Sequence, residues 1–212
     1  MNMLTDQETE PLTWTNAPFS YPGLVRIRTI PDGSCFFHAL VKAYFTPYQT
    51  GMLDGKVFDR IDFVKRLRAD LAAKLAQPVD LTTRLTYYDV ISRGRLRELV
   101  AEDKRYTLEN MQRELRSSSP VDNLYNEFIS IVLNKDIYLL DLATRDVYIT
   151  GRDSDILYKN RPSIVILTMP GHYELVGLQT PNGIRTLFTP DSPLISSIRQ
   201  RMAEKIAVGS RK

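Results

Sequence analysis

The sequence predicts an α+β protein, and three observations carry that prediction. Apolar residues recur at three- and four-residue steps through much of the first two thirds of the chain, as they do along helices. The period then changes to that of strands. Two nearly continuous apolar runs in this later part, Ile137 to Leu142 and Ile164 to Leu167, read as central strands covered on both faces.

In chain order, residues 1–22 hold Pro11, Pro18 and Pro22 and few periodic apolar positions, which predicts an extended arm tethered by Trp14 and Phe19. Alternation from Val25 to Ile30 predicts a half-exposed strand that delivers the chain to the turn Pro31-Asp32-Gly33. Cys35 to about Tyr44 reads as a helix buried on most sides. After a loop from Thr46 to Gly55, the set Val57, Ile61, Val64, Leu67, Leu71 and Leu75 predicts an amphipathic helix, with Asp54 as its N-cap, ending before Pro78.

Residues 79–95 read as a loop with a short helix, followed by helical pieces at Leu96 to Glu102 and Leu108 to Leu115. Ser119-Pro120 then signals a helix start, with Val121, Leu124, Tyr125, Phe128, Ile131 and Val132 on one face. Among the strands, Asp146 to Ile149 returns as a hairpin partner, and His172 opens a strand after the turn Pro170-Gly171. Pro181-Asn182-Gly183 turns into a last strand, Ile184 to Phe188. Ser192-Pro193 begins a final helix with Leu194, Ile198, Met202 and Ile206 inward.

At 212 residues the chain can bury a core without staples, so the expectation is a body over 23–190, the arm before it, and a C-terminal helix with a basic tail over 191–212 packed on it. One cysteine cannot form an internal disulfide, and with no C-x-x-C or His-rich cluster neither a metal nor another cofactor is expected. The first ten residues are acidic and lack the order of a signal peptide, and no apolar run could span a bilayer. An intracellular monomer without a membrane partner is expected. Lys and Arg total 28 against 25 Asp and Glu, and their interleaving argues against nucleic acid as a partner. The basic stretch with Arg199, Arg201, Lys205, Arg211 and Lys212 reads as a solvated helix face and tail.

The chemistry concentrates at two places. Cys35 follows a D-G turn at the head of a helix, where unpaired N–H groups favour a thiolate and the amides around Gly33, Ser34 and Cys35 can face an oxyanion. Asp32 is placed to hold that loop, as an N-cap or by bonding the turn's own amides. On the later strand, His172 and Glu174 project from one face, a base with a carboxylate to orient it, while Tyr173 faces the other way. His38 shares a helix face with Cys35, but its lean toward the N-terminus would crowd the substrate, which favours a supporting role. Taken singly, a buried cysteine is more often a core residue and a His–Glu pair a surface accident; together they suggest a nucleophile and its base.

D-G-S-C-F-F-H-A at Asp32 to Ala39 and G-H-Y-E-L-V at Gly171 to Val176 resemble the two signature blocks of the ovarian tumour (OTU) family of cysteine deubiquitinases. Strands such as D-I-Y-L-L-D at Asp136 to Asp141 are similar to that family too, and the likeness spans roughly Leu24 to Phe188. The resemblance implies a papain-like fold with a central, mostly antiparallel sheet flanked by helices on both sides. It also implies Cys35 as nucleophile, His172 as base, Glu174 in the orienting position and Asp32 as organiser of the oxyanion loop. Gly33, Ser34, Gly171 and Tyr173 would bind substrate or oxyanion. The implied activity is hydrolysis of the isopeptide or peptide bond at the C-terminus of ubiquitin, polyubiquitin or a ubiquitin-like modifier. Separately from the resemblance, the 79–118 region is expected to be the ubiquitin-contacting surface. The alternative is a non-catalytic module of the same fold that binds ubiquitin or another partner. Two departures stand out: the family usually has Arg where His38 stands and Asp or Asn where Glu174 stands, so another polar group, such as one near Asn16, is a rival orienter.

Overall fold

The computed structural model describes residues 8–80, 82–94, 96–149 and 154–209. In chain order its elements begin with β1 (Thr9–Pro11), β2 (Leu24–Ile27), α1 (Cys35–Tyr44), α2 (Thr46–Thr50), β3 (Met52–Leu53), β4 (Lys56–Val57) and α3 (Arg60–Leu75). They continue with α4 (Tyr87–Arg93), α5 (Leu108–Arg116), α6 (Asn126–Leu133), β5 (Asp136–Asp141), β6 (Asp146–Tyr148) and α7 (Ser154–Leu157). Last come β7 (Ser163–Met169), β8 (His172–Thr180), β9 (Gly183–Arg185) and α8 (Pro193–Gly209).

The main sheet runs β1-β2-β8-β7-β5-β6, with β9 also on β8. Its pairs are antiparallel except β5 with β7, which run parallel from Asp136 opposite Ser163 to Asp141 opposite Thr168. Helices cover both faces, because alternate strand side chains point to opposite sides. Ile137, Leu139, Ile164, Ile166 and Leu175 pack with α1, α3 and α6, while Tyr138, Leu140, Val165, Leu167 and Val176 pack with α8 and the arm residues Trp14 and Phe19. The mostly antiparallel, helix-flanked sheet expected from the sequence is the architecture observed. The stretch Thr9–Pro11 of the arm is itself a strand, paired with β2.

Several local expectations need correction. The segment after α1 is not a plain loop: Pro47 opens the short α2, Gly51 closes it at φ 71°, and a hairpin follows. Asp54 and Gly55, at φ 49° and 76°, form the hairpin's turn, so Asp54 caps nothing. The cap of α3 is Asp59, whose side chain accepts the Asp62 N–H at 2.9 Å. Val57 and Ile61, read as inward-facing, are 87% and 57% exposed. Leu96 to Glu102 forms turns, not a helix. Ser119-Pro120 starts no helix either; Asp122 caps a 3-10 turn over Asn123–Tyr125 that runs on into α6.

Candidate active site

The loop before α1 is built by Asp32. Its Oδ1 accepts the Ser34 N–H at 2.8 Å, and its backbone carbonyl accepts the Cys35 N–H at 3.2 Å, which places Cys35 as the first residue of the helix. Its Oδ2 lies 3.2 Å from His38 Nε2, and His38 Nδ1 lies 2.6 Å from the Tyr48 hydroxyl. A carboxylate only accepts, so Nε2 carries the proton and Tyr48 donates to Nδ1. Burial holds His38 below its ordinary value despite Asp32, keeping it neutral. His38 therefore serves the loop, in the supporting role read from the sequence.

Gly33 is required by close approach. A Cβ there would lie 1.7 Å from the Ser118 carbonyl oxygen, so the loop rests directly on the backbone of the segment that follows α5. The same junction is bonded by Arg68 of α3, 2% exposed, which donates to Gly33 O and Ser34 Oγ on one side and to Leu115 O, Glu114 O and Ser119 O on the other. Sequence reading missed Arg68. The signal was present, since Val64, Arg68, Leu71 and Leu75 follow helical spacing and all are buried.

Ser34 differs from expectation. Its amide is taken by Asp32 and its hydroxyl by Arg68, so it is engaged in the loop and not turned toward an oxyanion. The Gly33 N–H meets no acceptor among the described residues.

From the other side, β7 and β8 meet at the turn Pro170-Gly171, where Gly171 has φ 73°. This brings the first residues of β8 against the head of α1. The N–H groups of Tyr173 and Phe36 lie near the Cys35 sulfur and favour its thiolate, and the rings of Tyr173 and Phe36 meet edge to face at 5.2 Å. Cys35, His172, Gly33, Gly171 and Tyr173 line one cleft of about 240 Å³, together with Pro120, Val121 and Asp122. Burial nonetheless pushes the Cys35 thiol above its ordinary value, outweighing those N–H groups, and the residue is 3% exposed.

Around His172, the Nε2 edge carries the orienting groups. Thr29 Oγ1 lies 3.5 Å from it and gives its own proton to Tyr173 O at 2.6 Å, so toward the imidazole Thr29 acts as acceptor. Glu174 Oε1 lies 3.8 Å away, but Arg26 holds that carboxylate with bonds of 2.7 and 3.0 Å. Thr29, absent from the expected set, stands nearer the ring nitrogen than Glu174. Asn16 is exposed and lines no part of the cleft. Nε2 being so engaged, Nδ1 makes no hydrogen bond among the described residues. Among the described residues no cluster of three or more His, Cys, Asp or Glu could hold a metal ion, and no helix is long and apolar enough to cross a membrane.

No protein-family model and no curated protein matches the chain. Solved structures similar to it include an ovarian tumour (OTU) domain in complex with ubiquitin, at 16% identity over 88% of this chain and 88% of that one, with a TM-score of 0.49. The OTUD1 OTU domain is 20% identical over 72% of this chain and 85% of its own, with a TM-score of 0.44. The Hazara virus OTU bound to ubiquitin is 16% identical over 74% of this chain and 82% of its own, with a TM-score of 0.40.

Proposed function

We propose that the protein is a cysteine-dependent deubiquitinase of the ovarian tumour type, hydrolysing the isopeptide or peptide bond after the C-terminal glycine of ubiquitin or a ubiquitin-like modifier. The observation that carries this reading is the meeting of the two sequence blocks: Cys35 and Gly33 of the first line one cleft with Gly171, His172 and Tyr173 of the second. The substrate class rests on the likeness of those blocks to the family's signatures.

In the reaction, His172 Nδ1 takes the Sγ proton as the sulfur attacks the substrate carbonyl carbon. The open Gly33 N–H, in the loop before α1, receives the developing oxyanion. The tetrahedral adduct collapses as His172 passes the proton to the leaving amine, leaving a thioester on Cys35. Water, deprotonated by His172, then attacks the thioester, and the carboxylate departs as the thiol is restored. Burial disfavours the Cys35 thiolate, so in this reading proton transfer to His172 accompanies attack.

That same burial favours a second reading, a non-catalytic module that binds ubiquitin without cleaving it. Incubation with ubiquitin carrying a fluorogenic C-terminal amide separates the two. The enzyme reading expects fluorophore release that Cys35→Ala and His172→Ala abolish. Binding of ubiquitin with no release by the unaltered protein would establish the module instead.

A further inference from the structure

Arg68 touches none of the groups that react, yet it joins the two sides of the cleft. Its Nη1 donates to Gly33 O at 3.0 Å and Ser34 Oγ at 2.7 Å, in the loop that precedes Cys35. Its Nε donates to Leu115 O at 3.0 Å, and its Nη2 to Glu114 O at 3.0 Å and Ser119 O at 2.8 Å. All five guanidinium N–H groups are thereby used.

Glu114 and Leu115 lie in the last turn of α5, where helix carbonyls have no partner within the helix, so the cation caps α5 with the favoured sign of charge. A fork that bonds in several directions at once is a property of arginine and not of lysine. The guanidinium also lies over the Phe37 ring of α1, 4.9 Å from its centroid. Independently of these bonds, the Gly33 backbone has no room for a Cβ against Ser118 O, so movement of one segment displaces the other. The chain that leaves Ser119 continues directly into Pro120, Val121 and Asp122, which form one wall of the cleft that Cys35 and His172 line.

The geometry points to Arg68 as a positioning residue for the cleft: it sets the spacing between the Cys35 loop and the 117–122 wall, and so the position of the substrate carbonyl relative to the sulfur. The catalytic part of this inference rests on the hydrolase reading above; the mechanical part does not. Misplacement of reacting groups by an ångström can cost on the order of 10²-fold in rate while leaving ground-state binding largely intact.

The test uses Arg68→Met and Arg68→Lys in the full chain, below their melting temperatures. Hydrogen–deuterium exchange is followed on peptides covering 31–37 and 114–122, and kcat and KM are measured on the ubiquitin amide. Arg68→Met is expected to speed exchange in both peptides together and to lower kcat about 100-fold with KM changed about threefold or less. Arg68→Lys, which keeps the charge but not the fork, is expected to recover about tenfold of that loss. Should Arg68→Met fail to fold, Arg68→Lys carries both measurements, with faster exchange and kcat about tenfold below the unaltered protein. Unchanged exchange in either peptide, or kcat within about twofold of the unaltered protein, overturns the inference. If the unaltered protein releases no fluorophore, the hydrolase reading fails and exchange alone decides whether Arg68 clamps the two segments.

Discussion

Arg26 grips both carboxylate oxygens of Glu174 across the β2–β8 pair, Nε to Oε2 at 2.7 Å and Nη2 to Oε1 at 3.0 Å. The carboxylate two residues after His172 is thus committed to a cation, 3.8 Å from His172 Nε2. Thr29 Oγ1 shares the orienting position at 3.5 Å. Glu174→Gln and Thr29→Val are therefore each expected to lower kcat/KM about tenfold, against about 10³-fold or more for His172→Ala. Steady-state kinetics on the ubiquitin amide check this; a Glu174→Gln loss equal to that of His172→Ala would return the orienting role to Glu174 alone.

Cys35 offers a pH test that needs no ubiquitin. Burial raises its pKa above the ordinary 9.0, so the thiolate fraction, and with it the rate of alkylation by iodoacetamide, is expected to reach half its maximum above pH 9.0. The raised value also gives the folded state a stability contribution that is full below the unfolded pKa and is lost as pH rises through the folded one. Melting of the unaltered protein is accordingly expected to fall more steeply above pH 9.0 than that of Cys35→Ser.

His38 has the opposite sign. Burial lowers it from 6.5 although Asp32 opposes the shift, with Lys42 and Arg60 adding to it and the Tyr48 hydroxyl on its other nitrogen. Its neutral form contributes stability that is present above the unfolded value and is lost as pH falls through the folded one. His38→Gln is expected to lose stability less steeply than the unaltered protein below pH 6.5, as read by denaturant midpoints. At pH 7.5 the same variant is expected to keep kcat/KM within about tenfold, since this histidine moves no proton in the reaction.

Two glycines of the cleft separate steric from backbone requirements. A Cβ on Gly33 would meet Ser118 O at 1.7 Å, whereas one on Gly171, at φ 73°, would meet nothing within 4 Å. Gly33→Ala must move the loop or the wall and is expected to cost about 1–3 kcal/mol together with most of the activity. Gly171→Ala is expected to cost about 1–2 kcal/mol, from the left-handed backbone alone. Thermal melts with rates on the ubiquitin amide distinguish them; equal losses of activity would show that Gly33 is not held against Ser118 in solution.

What the sequence made legible follows from locality. The helix Cys35–Tyr44 and the strands Asp136–Asp141 and Ser163–Met169 announce themselves because their apolar runs are buried on nearly all sides and the pattern is strong. The hairpin turn Asp54-Gly55 was hidden because Val57 and Ile61 mimic a helix face that the fold leaves exposed. Ser119-Pro120 has the chemistry of a helix start, but the Ser119 carbonyl is drawn to Arg68 and the helix is delayed to Asp122. Within the site, residues whose roles depend on neighbours in sequence, such as Asp32 with Ser34, could be read directly. Thr29, Arg26 and Arg68 act across strands or between helices, through contacts that no local spacing records.

The most direct measurement is covalent capture by ubiquitin bearing a C-terminal electrophile, followed by mass spectrometry of the adduct. One ubiquitin is expected on Cys35 in the unaltered protein, none in Cys35→Ala, and slowed attachment in His172→Ala. Absence of any adduct, under conditions where iodoacetamide does modify Cys35, would contradict the deubiquitinase reading.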